Sequence, residues 1–149
     1  MKVSKRATYG IMVAVDLAIH AHETPIQARA IARRHGIPIR FLEQVLHAMK
    51  KAGLVESQRG AQGGYLLMHE PTAMSIADIF EALEGPVLHR LSVDQRTRNR
   101  HATKPELLLD DVWEQVQQAE RKVLENVTIE HLAMRLRSID AQRNPMYHI

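Results

Sequence analysis

Arg40, Glu43, Gln44 and His47 fall at i, i+3, i+4 and i+7, a spacing that on a helix lines a guanidinium, a carboxylate, an amide and an imidazole along one stripe. Leu42, Val45, Leu46 and Met49 repeat at the same spacing on the opposite face, so the segment reads as one amphipathic helix. Its polar groups suit the edges of bases. A glutamine amide can pair bidentately with adenine, and a carboxylate can accept from the amino group of cytosine. Glu43 would also repel phosphates, so its value would lie in rejecting wrong sequences. Pro38 pre-sets the first helical dihedral and Gly53 is placed to end the helix in a left-handed cap, which predicts about 14 residues, or roughly 21 Å. A helix of that size fits a major groove.

A second cluster follows at once. Arg59-Gly60-Ala61-Gln62-Gly63-Gly64-Tyr65 is a glycine-dense turn between two strand-like runs, Gly53 to Ser57 and Tyr65 to Met68. Glycines keep such a tip thin, and an arginine at its shoulder can reach into the negative potential of a narrow minor groove. The turn therefore reads as the wing of a winged helix.

These groups need elements to hold them. Gln27 to His35 places Ala28, Ile31 and Ala32 on one side and Arg29, Arg33 and Arg34 on the other, and Gly36-Ile37-Pro38 makes a tight turn into the reading helix. Two helices joined by a short glycine turn are a helix-turn-helix unit. Gln27 is a poor N-cap, which makes that helix start the weakest boundary. Ser4 can cap an earlier helix whose apolar stripe is Ile11, Ala14, Val15 and Ala18, fraying near His20. Lys5 and Arg6 stand at its N-terminus, where backbone N–H groups can also bind phosphate. Lys50 and Lys51 are further phosphate candidates. After the wing, Ser75 and Asp78 form an acidic version of the capping box ahead of Ile76, Ile79, Phe80 and Leu83, and Gly85-Pro86 stops that helix.

Charge supports a nucleic-acid partner. Residues 1–70 carry +5 and residues 71–149 carry −2, together the +3 of the 149-residue chain. The basic half is the half holding the helix-turn-helix and wing, as phosphate contact requires. Composition is 45% hydrophobic with few aromatics, so aliphatic side chains must fill the core, which favours an α-rich fold. No window approaches the roughly 18 apolar residues of a bilayer span, and the start lacks a signal-peptide cleavage pattern, so a cytoplasmic protein with no membrane partner is expected. The chain has no cysteine, which removes disulfides, thiolate chemistry and thiolate ligation of zinc or iron-sulfur clusters. Neither nucleophile elbow, phosphate loop nor metal motif is present, so no enzyme is indicated.

From Val87 to Glu106 no period is maintained, as in an effector or sensor loop. His89, Asp94 and His101 within it could offer imidazole and carboxylate ligands to a divalent metal, although their spacing is irregular and the neighbouring arginines repel a cation. Beyond it, Leu109, Val112, Val116, Ala119 and Val123 alternate by three and four with Trp113 on the flank, a narrow apolar seam on one long helix. Such a seam suits a two-fold dimer that offers two reading helices to a palindrome, or else packing on its own domain. Thr128 caps one more helix, and Ser138 to Ile149 is expected to be a loose tail. The domains are thus 1–86 for DNA binding, 87–106 for the loop, 107–137 for the dimerisation and terminal helices, and 138–149 for the tail.

Taken together, Leu42-Glu43-Gln44-Val45-Leu46, Ala52-Gly53-Leu54-Val55, the run Ser57 to Leu66, and Ile79 with Leu83-Glu84-Gly85-Pro86 resemble the Rrf-type family of bacterial winged-helix transcription regulators, with its IscR-, NsrR- and CymR-like members. The resemblance spans about Ser4 to Ala133. It implies a mainly α fold with a small β-hairpin wing, a long dimerisation helix, and homodimers on double-stranded operator DNA. Matching positions make Glu43 and Gln44 base readers with Arg40 and Phe41 just before them, and Arg59 and Gly60 wing contacts beside Gln62. Cluster-binding members carry three cysteines in the loop before the dimerisation helix, and this chain has none. It resembles the cluster-free branch, without a cofactor, in which a small-molecule effector or a partner enzyme conveys the signal. A DNA-binding repressor is therefore expected, with a protein-interaction winged helix and a metal sensor using His89 and His101 as the alternatives.

Overall fold

The computed structural model describes residues 3–20, 24–85 and 104–143. Among these the order is α1 (Lys5–His20), α2 (Ala28–His35), α3 (Ile39–Lys51), β1 (Val55–Gln58), β2 (Gly64–Leu67), a 3-10 turn (Pro71–Ala73), α4 (Ile76–Glu84), α5 (Lys104–Asn126) and α6 (Ile129–Arg143). It is the expected winged helix, mainly α with one antiparallel hairpin.

Helix α1 is the centre, packing against α2, α3, α4, α6 and β2. Its N-terminus is capped as the sequence implies, with the Ala7 amide donating to Ser4 Oγ at 3.1 Å. The buried face is broader than the expected stripe: Val13 and Leu17 are fully buried while Ile11 is only partly covered. A helix touched from several sides needs more than one apolar stripe. Gly10 lets α4 approach closely, since a Cβ there would collide with Leu83.

Among the described residues one charge lies inside this core. Asp16 is 3% exposed, and its carboxylate accepts from Arg34 Nε at 2.8 Å and Arg34 Nη2 at 2.7 Å, with His35 Nε2 2.8 Å from Oδ2. Burial alone would raise the acid's pKa. The hydrogen bonds from Arg34 and His35, and then their charges, more than offset burial and hold it below 3.8. Arg34 is raised in turn, chiefly by its hydrogen bond to Asp16. Arg34 stays exposed on α2, as its placement opposite Ala28, Ile31 and Ala32 implies, yet its guanidinium is claimed by the buried carboxylate of α1.

The other boundaries follow from local chemistry. Helix α2 starts at Ala28, one residue after Gln27, which makes no side-chain cap bond. Pro38 is the N-cap of α3, not its first helical residue. At the far end Gly53, at φ 76°, closes a Schellman motif, in which the Gly53 amide donates to Lys50 O and the Leu54 amide to Met49 O. The Ser75–Asp78 capping box is complete in both directions. An element the sequence did not announce is the bridge between Ser75 and Thr128, where Ile76 donates to Val127 O at 2.9 Å and Ile129 to Met74 O at 2.8 Å. It clamps the start of α6 to the start of α4, and Ile129 and Ala133 are buried behind it.

Two boundaries move. Helix α5 begins at Lys104, inside the segment expected to be loop, and α6 runs through Arg143, past the expected start of the tail at Ser138. The rest of the loop, with His89, Asp94 and His101, lies outside the described residues.

Replacing Asp16 with Asn should lower unfolding free energy at pH 7 by about 1–3 kcal/mol, less than the ~3–5 kcal/mol of a wholly buried broken pair because Arg34 can rehydrate. The contribution of a carboxylate with a lowered folded pKa is complete above its unfolded value, near pH 4, and is lost as pH falls through the folded value. Urea melts of wild type and Asp16→Asn should therefore differ at pH 7 and converge as the pH falls through the folded pKa of Asp16.

Candidate nucleic-acid interface

Helix α3 buries Leu42, Val45, Leu46 and Met49 and leaves Arg40, Glu43, Gln44 and His47 exposed. The apolar half is anchored in the core, so the polar stripe cannot rotate away from solvent. Among the described residues none of these four side chains makes an intramolecular hydrogen bond, which leaves their donors and acceptors for a partner. Arg34, one helix earlier, shows the contrast: it is committed to Asp16.

Arg40, Glu43, Gln44 and His47 line an open groove of about 790 Å³ together with Arg6, Ala48 and Lys51. An adjoining groove of about 450 Å³ is lined by Lys5, Tyr9, Pro38, Arg40, Phe41 and Gln44. The N-terminal turn of α1 thus borders the reading stripe and brings Lys5 and Arg6 beside it. Phe41 is half-buried, and its ring meets Tyr9 edge-on at 5.4 Å between centroids with planes at 81°, which braces the start of α3 on α1.

The two lysines at the end of α3 part company. Lys51 lines the groove, whereas Lys50 Nζ donates to Ser57 Oγ on β1 at 2.6 Å. Lys51 continues the stripe, four residues beyond His47 and seven beyond Gln44, a spacing that could have singled it out from sequence.

The wing stands beside this face. Val55 to Gln58 pair with Leu67 to Gly64, and the tip closes where the Gly63 amide donates to Gly60 O at 3.0 Å. Arg59, Gly60 and Gln62 are exposed on it. Sequence reading missed what holds the hairpin from behind. Ile26 and Tyr65 exchange two backbone hydrogen bonds, at 3.0 and 2.8 Å, so the residue before α2's cap acts as a one-residue third strand. Gly64 permits this approach: it sits at φ 147°, and a Cβ there would come within 2.5 Å of the Ile26 carbonyl. Only spatial pairing reveals it.

Away from this face, α5 has no buried residue, and Leu109, Val112, Trp113, Val116 and Val123 stand exposed, with Ala119 beside them. Among the described residues nothing buries the seam, while Leu124 of the same helix packs inward against Ala7 and Phe80.

The family model described as Rrf2, an iron-dependent transcriptional regulator, matches residues 3–135. The chain is 35% identical over 133 residues to the HTH-type transcriptional regulator CymR of Bacillus subtilis, covering 89% of this chain and 90% of that one. Its fold is similar to the structure of B. subtilis CymR, a global cysteine regulator, with a TM-score of 0.76 and 33% identity over 90% of this chain and 97% of that one. It is also similar to T. potens IscR, with a TM-score of 0.74 and 34% identity over 91% and 88% of the two chains. The iron in the family description can be tested against the donors. With no cysteine in the sequence there is no thiolate to hold a cluster, and among the described residues no group of three His, Asp or Glu could hold a metal ion. This chain does not fit a thiolate-held cluster.

Lys51→Ala and Gln44→Ala should separate affinity from readout. Lys51→Ala should weaken DNA binding on all sequences alike and reduce the slope of log K against log salt by about 1, while Gln44→Ala should cost about 1–3 kcal/mol at one base position with the slope unchanged. Fluorescence anisotropy across a salt series, on a matched and a mismatched duplex, reads both.

Proposed function

Because this chain belongs to the Rrf2 family and is a DNA-binding transcription regulator, not an enzyme, we propose that it acts as a dimeric repressor on a palindromic operator. The carrying observation is the uncommitted polar stripe of α3, flanked by the basic start of α1 and by the wing. Seated in a major groove, Gln44 pairs with an adenine and Glu43 accepts from a cytosine. Arg40 and Lys51 serve phosphates, as do Lys5 and Arg6 at the start of α1. Arg59 enters the adjacent minor groove from the wing.

A single such unit contacts too few bases for specificity, so a second copy is needed. The exposed seam of α5 supplies its contact, placing two reading helices about 34–36 Å apart on successive turns of the duplex. A signal acts by changing how the two α5 helices cross, which shifts that spacing and lowers operator affinity. With no thiolate donor in the chain, the signal comes from a small molecule or a partner protein. The similar B. subtilis structure is described as that of a cysteine regulator, which supports a signal other than iron.

Selection of genomic DNA by the purified protein at near-physiological salt, followed by sequencing, should return a palindrome upstream of a coherent gene set; recovery without any shared motif would overturn the reading. Val116→Glu, on an exposed position that the monomer fold does not use, should yield a monomer by sedimentation and weaken operator binding about 100-fold or more. A dimer that survives this change would remove α5 from the interface.

A further inference from the structure

Gln27 occupies the N-cap of α2 yet makes no capping bond there. Its side chain turns instead to the wing, where Nε2 donates to the carbonyl of Ala61 at 3.3 Å, 34 residues along the chain. Ala61 sits inside the tip turn closed by Gly60 and Gly63, two residues from Arg59. The preceding residue, Ile26, holds β2 through its two backbone bonds to Tyr65, and Gly64 is shaped for that approach. The segment 26–27 therefore grips the hairpin at two levels, the strand and the tip. On the opposite side, Lys50 ties β1 to the end of α3.

A two-stranded hairpin by itself is only marginally ordered, so the direction of its tip is set by what braces it. We propose that Gln27 is a positioning residue for DNA binding, which fixes the wing tip so that Arg59 is aimed into the minor groove beside α3. This rests on the reading of Arg59 as the wing's DNA contact. Gln27 touches no base in this role. It converts the rigid α1–α2 unit into a fixed wing angle, so that the wing's contact is made without first ordering the loop. The missing cap bond is consistent with that use: the amide serves the wing in place of its own helix.

The test is a double-mutant cycle in the full-length protein with Gln27→Met, which keeps length and removes the donor, and Arg59→Ala. Gln27→Met breaks no cap, so its thermal midpoint should match wild type. Affinity for a labelled duplex carrying the selected motif should fall about two- to tenfold, the range of one lost hydrogen bond. In the Arg59→Ala background the same substitution should have no further effect. Amide hydrogen exchange in the DNA-free protein should quicken at Arg59 to Gly64 and nowhere else. If Arg59→Ala weakens binding but Gln27→Met does not, or if the two losses simply add, Gln27 is not a positioning residue. Unchanged wing exchange in Gln27→Met overturns the proposal without reference to DNA. Arg59→Ala with undiminished binding removes the wing contact itself, a different failure.

Discussion

A carboxylate taken out of water must be met by donors or be protonated, and Asp16 is taken out of water in the middle of α1, whose buried residues run from Ala7 to Ala18. Arg34 and His35 meet it from the last turn of α2, which fixes α2 at one angle on α1. The turn through Gly36 then leaves α3 little choice of exit, because Ile37 and the apolar side of α3 are drawn into the same core. Helix α3 is thus oriented by a charge that lies outside its own polar stripe. An apolar residue at position 16 could be packed as well but would accept many rotations of α2. The bidentate geometry accepts few.

The interface has the opposite character. Its polar groups are those the fold has left without partners, arranged on α3 because the apolar half of that helix is consumed inside. Two elements distant in sequence widen it: the N-terminal turn of α1 on one side and the hairpin on the other. Each is braced, α1 through the Tyr9–Phe41 contact and the hairpin through Ile26 and Gln27. Bracing matters because binding by mobile elements would first have to order them.

The second half of the molecule is joined to the first by the short backbone bridge between Ser75 and Thr128 and by the burial of Ile129 and Ala133. Among the described residues, nothing covers the apolar seam that α5 presents. A helix with exposed leucines, valines and a tryptophan is costly in water, and under the proposed function a second copy meeting it along that seam would remove the cost. Anything that alters the clamp at Ser75 would therefore be felt at both the seam and the core behind the reading helix.

By itself the sequence determined the elements whose chemistry is local: the caps at Ser4, Ser75 and Thr128, the left-handed end at Gly53, the amphipathic α3 and the glycine turn of the wing. Each of these depends on neighbours within a few residues, so spacing along the chain carries the information. Tertiary structure decided everything that joins distant residues. Arg34 was placed with Arg29 and Arg33 opposite the apolar side of α2, and only the proximity of α1 showed it serving Asp16, although a lone acid in the apolar run Val13 to Ile19 was the available signal. Gln27 looked like a weak cap, and only the folded wing gave its amide a partner. Lys50 and Lys51 were both phosphate candidates in sequence and are separated in space, one bound to Ser57 and one facing the groove. Polar groups commit to whatever the packed core brings within about 3 Å, and that choice is made by the assembly of the helices, not by their order.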